Sequence, residues 1–144
     1  MPQGNTVRLD FRSTFDMLDF VQVVSDHVGR MTGLDDEAIH WMGVAVRESV
    51  INAIKHGNAN DQQKRVHVAF TPLAADSPPG IRIRVRDEGP GFDPSTLPDP
   101  LAPENLLKAS GRGIFLIRSF VDELVLQRAP EGGMEVVMVK RGSP

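Results

Sequence analysis

Ile81-Arg82-Ile83-Arg84-Val85-Arg86-Asp87 is the stretch on which the architecture turns. Apolar and charged residues alternate through it, the period-2 mark of a half-buried strand. Its inward set is Ile81, Ile83 and Val85, and the same alternation puts Asp87 on the buried side. The intervening Arg82, Arg84 and Arg86 read as a solvated sheet face. Working backwards, Arg65 to Thr71 alternates in the same way, and Ala74-Ala75-Asp76-Ser77-Pro78-Pro79-Gly80 connects the two runs as a hairpin. Val7-Arg8-Leu9-Asp10-Phe11 is a further alternating strand near the start. Towards the end, Val121 to Gln127 and Met134 to Lys140 form a last pair across Pro130-Glu131-Gly132-Gly133.

Helical spacing occupies the gaps. Ser13, with Asp16 three residues on, reads as an N-cap. Phe15, Leu18, Val21, Val24, Val28 and Met31 follow it, and Gly33 closes this first helix. Asp35 or Asp36 caps a second helix from about Glu37 to Lys55, with Ile39, Met42, Val46 and Val50 as its apolar stripe. His56 to Lys64 is polar, aperiodic and loop-like. A loop from Gly89 to Ser110 carries five prolines, and a short helix runs from near Arg112 to about Phe120. About twenty unstructured residues inside a compact domain suggest a lid, and the glycines at its ends favour that reading.

The order β-α-α-β-β-loop-α-β-β implies an α+β fold. It is a two-layer sandwich whose mixed, mostly antiparallel sheet is covered on one face by helices. No internal repeat or interdomain linker breaks the chain, so residues 1–144 are expected to form a single domain. The composition agrees, with 144 residues, 40% hydrophobic and 24% charged. A net charge of −3 and few aromatics argue against direct nucleic-acid binding, and the absence of Cys excludes disulfides and thiolate chemistry. The four histidines lack zinc-ligand spacing. The start has no signal-peptide pattern, and the longest apolar run falls far short of the roughly 20 residues of a membrane span. A cytoplasmic protein is expected.

Three motifs can carry chemistry. Glu48, Asn52 and His56 recur at i+4 and share one helix face. That face is either a solvated stripe or the wall of a cleft. In a cleft, the Asn52 amide oxygen could ligate a hard cation such as Mg²⁺, and Glu48 could take a proton from a hydroxyl. His56 reads as a helix C-terminal residue, with Gly57 as its left-handed cap. Asp87-Glu88-Gly89-Pro90-Gly91 is either a tight turn or the floor of a pocket. As a floor, Asp87 accepts from a purine amine, and Gly89 and Gly91 admit the flat ring. Ser110-Gly111-Arg112-Gly113 is either a hinge with a cap or a helix-terminal anion site, where Arg112 adds a positive charge. No P-loop and no complete dinucleotide fingerprint occur.

Glu48-x-x-x-Asn52-Ala53-x-x-His56-Gly57, then Asp87-x-Gly89-x-Gly91, then Gly111-x-Gly113 resembles the N, G1 and G2 boxes of the GHKL ATPase/kinase superfamily. The resemblance extends from Val7 to Arg141 and includes Gly132-Gly133-Met134-Glu135-Val136. It is closest to the stand-alone anti-sigma-factor serine/threonine kinases of partner-switching systems. It implies a Bergerat-type ATP-binding fold with ATP and Mg²⁺ as cofactors. Asn52 would hold the metal and Glu48 would be the catalytic base. Asp87, Gly89 and Gly91 would form the adenine pocket, and Gly111 and Gly113 would bring amides to the phosphates from a lid of about residues 89–111. A contact of Arg112 with the γ-phosphate is inferred from its place inside the last box.

The implied activity is that of an ATP-dependent protein serine/threonine kinase and anti-sigma factor, which phosphorylates a serine of an antagonist. The implied partners are a sigma factor, a STAS-domain anti-anti-sigma factor and a second copy in a homodimer. The alternative is a nucleotide-gated binding module that sequesters a partner without phosphotransfer. Glu48 favours the enzyme, since a clamp has no evident need of a base beside Asn52.

Overall fold

The computed structural model describes residues 5–73, 78–90 and 109–142, with only the backbone described for 109–112. Five strands, β1 (Val7–Arg12), β2 (Arg65–Pro72), β3 (Gly80–Arg86), β4 (Glu123–Arg128) and β5 (Met134–Arg141), form one sheet in the order β1-β2-β3-β5-β4. All four pairings are antiparallel, which sharpens the mostly antiparallel sheet expected. Three helices, α1 (Leu18–Thr32), α2 (Asp36–Asn52) and α3 (Ala109–Phe120), supply the second layer.

Register sorts the side chains as the alternation requires. Val68 lies opposite Val85, Phe70 opposite Ile83, and Ile83 opposite Met138, so one apolar row crosses three strands. Against that row α1 lays Val21 and Val28, α2 lays Met42, Val46 and Val50, and α3 lays Ile117, all buried. Full burial of one such side chain contributes about 1.5–3 kcal/mol. On the opposite face Arg82 is exposed, whereas Arg84 is drawn onto the buried carboxylate of Glu135 (Nη2–Oε2 2.5 Å), which Gln127 also bonds at 2.7 Å. Arg86 donates to Gly132 O at 3.2 Å. The arginine face is thus half a network of satisfied pairs rather than a uniformly solvated surface.

The start of the first helix departs from expectation. Ser13 is not the cap of α1. A short 3-10 turn at Phe15–Met17 intervenes, and neither it nor α1 receives a side-chain cap. The Ser13 hydroxyl donates instead to Lys64 O at 2.7 Å, because Arg12 pairs with Arg65 and brings Lys64 alongside. Gly33 closes α1 as expected, in the left-handed conformation at φ 94°. Along α1, Leu18, Val21 and Val28 are buried, but Phe15 and Met31 of the expected stripe are exposed. The stripe of α2 is buried throughout.

Candidate functional site

The site is assembled around the C-terminal end of α2. The helix does not stop at Asn52. It widens into a π-helical turn, Ala53–Gly57, closed by a bond from Asn58 N to Ala53 O at 2.8 Å. Such single turns absorb one extra residue and recur at functional sites. The expected left-handed cap at Gly57 does not occur, and the positive φ angles fall on Ala59 and Asn60. Gly57 serves a different need. A Cβ there would stand 2.0 Å from Asp87 Oδ2, so only glycine lets the helix end and the carboxylate approach. His56 is exposed, in keeping with an ordinary helix-end residue.

Asp87 follows β3 directly and is buried, as the alternation predicts. Its main chain extends the ladder, with Asp87 N donating to Met134 O at 3.0 Å. Oδ1 accepts from Gly89 N at 2.9 Å and from Met134 N at 3.1 Å. No described donor bonds Oδ2. One carboxylate oxygen is thus spent on fixing the group, and the other is left toward Gly57. Two further glycines complete the enclosure. A Cβ on Gly89 would lie 1.9 Å from Gly57 O, and one on Gly133 would lie 2.0 Å from Asp87 O. Gly133 also holds φ +83°, a conformation that side chains resist.

One turn back along α2, Glu48 and Asn52 are half-buried on the same face. Their neighbour is Gly113 of α3. A Cβ on Gly113 would meet Asn52 Nδ2 at 2.7 Å and Glu48 Oε1 at 3.0 Å. Two of the three motifs therefore touch at this point, and the third joins the same helix end through Gly57. α3 begins at Ala109, before the expected start near Arg112. This puts Gly111 in its first turn, where N–H groups have no acceptor within the helix. Gly113 lies beyond that turn, and what it contributes is space. Gly91 and most of the expected lid, 91–108, lie outside the described residues.

Sequence reading missed the residue that ties these parts together. Asn58 is fully buried, and its side chain is satisfied on every side. Nδ2 donates to Ser13 Oγ at 2.8 Å and to Arg65 O at 3.0 Å, while Oδ1 accepts from Glu88 N at 2.7 Å. It thereby links the end of α2 to the loop that begins with Asp87 and Glu88. The Glu88 carboxylate is held below its ordinary value, first by the Arg65 backbone N–H and then by His67, against a smaller opposing effect of burial.

An acid–amide helix face, a glycine-enclosed aspartate and a glycine-led helix start thus meet around one helix end. The chain belongs to the histidine kinase-like ATPase domain family, whose sequence profile matches residues 13–140. That membership bears out the resemblance read from the three motifs. Among curated proteins, the chain is 33% identical to the anti-sigma F factor of Oceanobacillus iheyensis, over 95% of this chain and 92% of that protein. It is 31% identical to the serine-protein kinase RsbW of Staphylococcus aureus, over 87% of this chain and 79% of that one. A counterpart of the same name from Listeria monocytogenes is 27% identical over 78% and 72%. In fold, the chain matches a Mycobacterium tuberculosis structure of RsbU and RsbW domains with a TM-score of 0.67 at 20% identity. That alignment covers 97% of this chain and a third (33%) of the other. No described helix is long and apolar enough to cross a membrane.

Proposed function

We propose that this protein is an ATP-dependent protein serine kinase that also sequesters a sigma factor. Its phosphoryl acceptor would be a serine on a STAS-domain antagonist. The observation that carries the reading is the seating of Gly113 on Glu48 and Asn52, with Asp87 one helix turn further on. Similarity to proteins named as anti-sigma factor and serine-protein kinase supports it.

In this reading the adenine amino group donates to Asp87 Oδ2, the oxygen that no described donor occupies. Gly57, Gly89 and Gly133 keep side chains away from the aspartate that meets the ring. The donors present suit Mg²⁺, which binds through one or two protein oxygens plus phosphates and water; here the Asn52 amide oxygen is the protein donor. When bound, the metal neutralises charge on the transferring phosphoryl group. The Gly111 amide at the start of α3 would meet the anion as a helix N-terminal donor, and the positive charge of Arg112 would meet the γ-phosphate. Glu48 accepts the serine proton as the hydroxyl oxygen bonds to the γ-phosphorus and the bridging oxygen leaves on ADP. The protein thus supplies position and charge, with no covalent intermediate. The protein would act in the cytoplasm as a single domain, with pairing of two copies as in the stand-alone kinases it resembles.

The test is incubation of the purified chain with labelled Mg-ATP and candidate STAS proteins from the same genome. Transfer to serine is the expected result. Asn52→Ala should abolish Mg-ATP binding and Asp87→Asn should weaken it, while Glu48→Ala should retain nucleotide but lose transfer by about 100-fold or more. Wild-type transfer rates in Glu48→Ala would remove the base assignment. Tight nucleotide binding without transfer to any partner would leave a nucleotide-gated module instead.

A further inference from the structure

His67 sits in mid-β2 on the sheet face turned away from the helices, with its side chain a quarter (25%) exposed. Both ring nitrogens meet carboxylates. Nδ1 meets Asp10 of β1, and Nε2 lies 2.8 Å from Glu88 Oε2. A neutral imidazole has one N–H and can donate to only one of them, whereas an imidazolium donates to both. Glu88 is the residue next to Asp87. Its other carboxylate oxygen accepts from Arg65 N at 2.8 Å, and its own N–H donates to Asn58. Asp87 is turned toward Gly57 and Glu88 toward His67, so each anchors the peptide that joins them from its own side.

We propose that Asp10, His67 and Glu88 form a positioning clasp that holds Asp87 in place for the adenine base, so that adenine-nucleotide affinity falls as His67 gives up its second proton. The inference rests on the reading of Asp87 as the adenine acceptor. None of the three touches nucleotide; each acts through the loop that carries Asp87. With both ring nitrogens protonated, the imidazole bridges two anions. On deprotonation one ring proton goes to solvent and the remaining N–H serves only one carboxylate; in the tautomer that keeps it on Asp10, Glu88 retains the Arg65 N–H and Asn58 bonds alone. Glu88 stays ionised through this change, because its carboxyl is held below the ordinary range. The charged groups on this side of the sheet include Arg8 and Arg12 of β1, Arg65 of β2, Arg82, Arg84 and Arg86 of β3, Glu135 of β5, which Arg84 bonds, and Glu131, which meets Arg86 at 3.5 Å. Arginine does not titrate near neutrality, and histidine is the side-chain type that does.

The experiment is calorimetric titration of the full chain with Mg-ADP at about pH 6 and about pH 8, for wild type, His67→Phe and Asp10→Asn. Phenylalanine keeps a planar ring on the sheet and removes both donors. Asp10→Asn keeps an acceptor opposite the ring, and it preserves the test should His67→Phe fold poorly. Wild type should weaken between the two pH values by about two- to fivefold more than His67→Phe, the range of a half-exposed ion pair. Asp10→Asn should fall between them. Groups outside the clasp, the nucleotide phosphates among them, are common to all three proteins and cancel in the comparison. A purely structural role for His67 would shift affinity equally at both pH values. Parallel pH profiles in wild type and both variants, with ADP bound throughout, would overturn the clasp alone. Wild type that fails to bind ADP at either pH would overturn the adenine site and the clasp together.

Discussion

Gly133 and Gly113 flank opposite ends of one site, and they differ in what a methyl group would strike. At Gly133 it would meet the Asp87 carbonyl oxygen at 2.0 Å, in a left-handed backbone. At Gly113 it would meet the tips of Asn52 and Glu48 at 2.7 and 3.0 Å. The first obstacle is main chain inside a hydrogen-bonded ladder, which cannot yield without moving two strands. The second consists of side-chain ends on a helix, which can rotate. The Asp87 end is therefore part of the fold itself. The Asn52 end is different, since neither Glu48 nor Asn52 makes a side-chain hydrogen bond to a described partner. A rigid end and an uncommitted end, one helix turn apart, suit a site that reads one part of a ligand and adjusts to the other.

Gly133→Ala should produce the largest effect. Strain at positive φ adds to a main-chain clash, so destabilisation of about 3 kcal/mol is expected. Urea unfolding should show a clear drop in midpoint, with nucleotide binding lost in the same variant. A variant as stable as wild type would mean that the ladder beside Asp87 is softer than its bonds indicate.

Gly113→Ala sharpens the contrast by separating the two readouts. Alanine is favoured over glycine inside a helix by about 0.5–1 kcal/mol, so thermal stability should hold or rise slightly. Mg-ATP affinity should nevertheless fall by about tenfold, as the Asn52 and Glu48 side chains are pushed from their positions, a loss near 1.4 kcal/mol. Loss of stability comparable to that of Gly133→Ala would erase the distinction between the ends.

How legible these ends were in the sequence follows from the range of the interactions that build them. Period-2 alternation from Ile81 to Asp87 is a property of the extended backbone, so it gave both the sheet face and the burial of Asp87. The i+4 spacing of Glu48 and Asn52 likewise needs nothing beyond one helix. The role of Gly57 escaped because one extra residue in a π turn leaves no periodic trace, and the same Gly reads equally well as a cap. Asn58 escaped because its partners Ser13 and Glu88 lie 45 and 30 residues away, and no local pattern reports bonds of that span. Ser13 was misread for the same reason, its hydroxyl being taken by Lys64 rather than by the helix that follows. Gly133 carried a weak signal, the Gly132-Gly133 pair at a hairpin, but not its contact with Asp87.

The smallest expected effect tests whether Glu88 belongs to the rigid end. Its carboxyl is held below the ordinary value of 4.5 by Arg65 N–H and His67. A depressed carboxylate contributes stability that is present above its unfolded value and lost as pH falls through its folded one. Wild type should therefore lose this contribution only below about pH 4.5, as the carboxylate takes up a proton. Glu88→Gln never has it. The variant should be modestly less stable at neutral pH, and the two stability curves should converge as the solution is acidified. The side chain is partly open to solvent, so screening keeps the gap small, and denaturant midpoints at closely spaced pH values are the suitable measurement. Curves that stay parallel into acid would show that Glu88 is held by geometry without charge, and would leave Asn58 as the anchor of the loop beside Asp87.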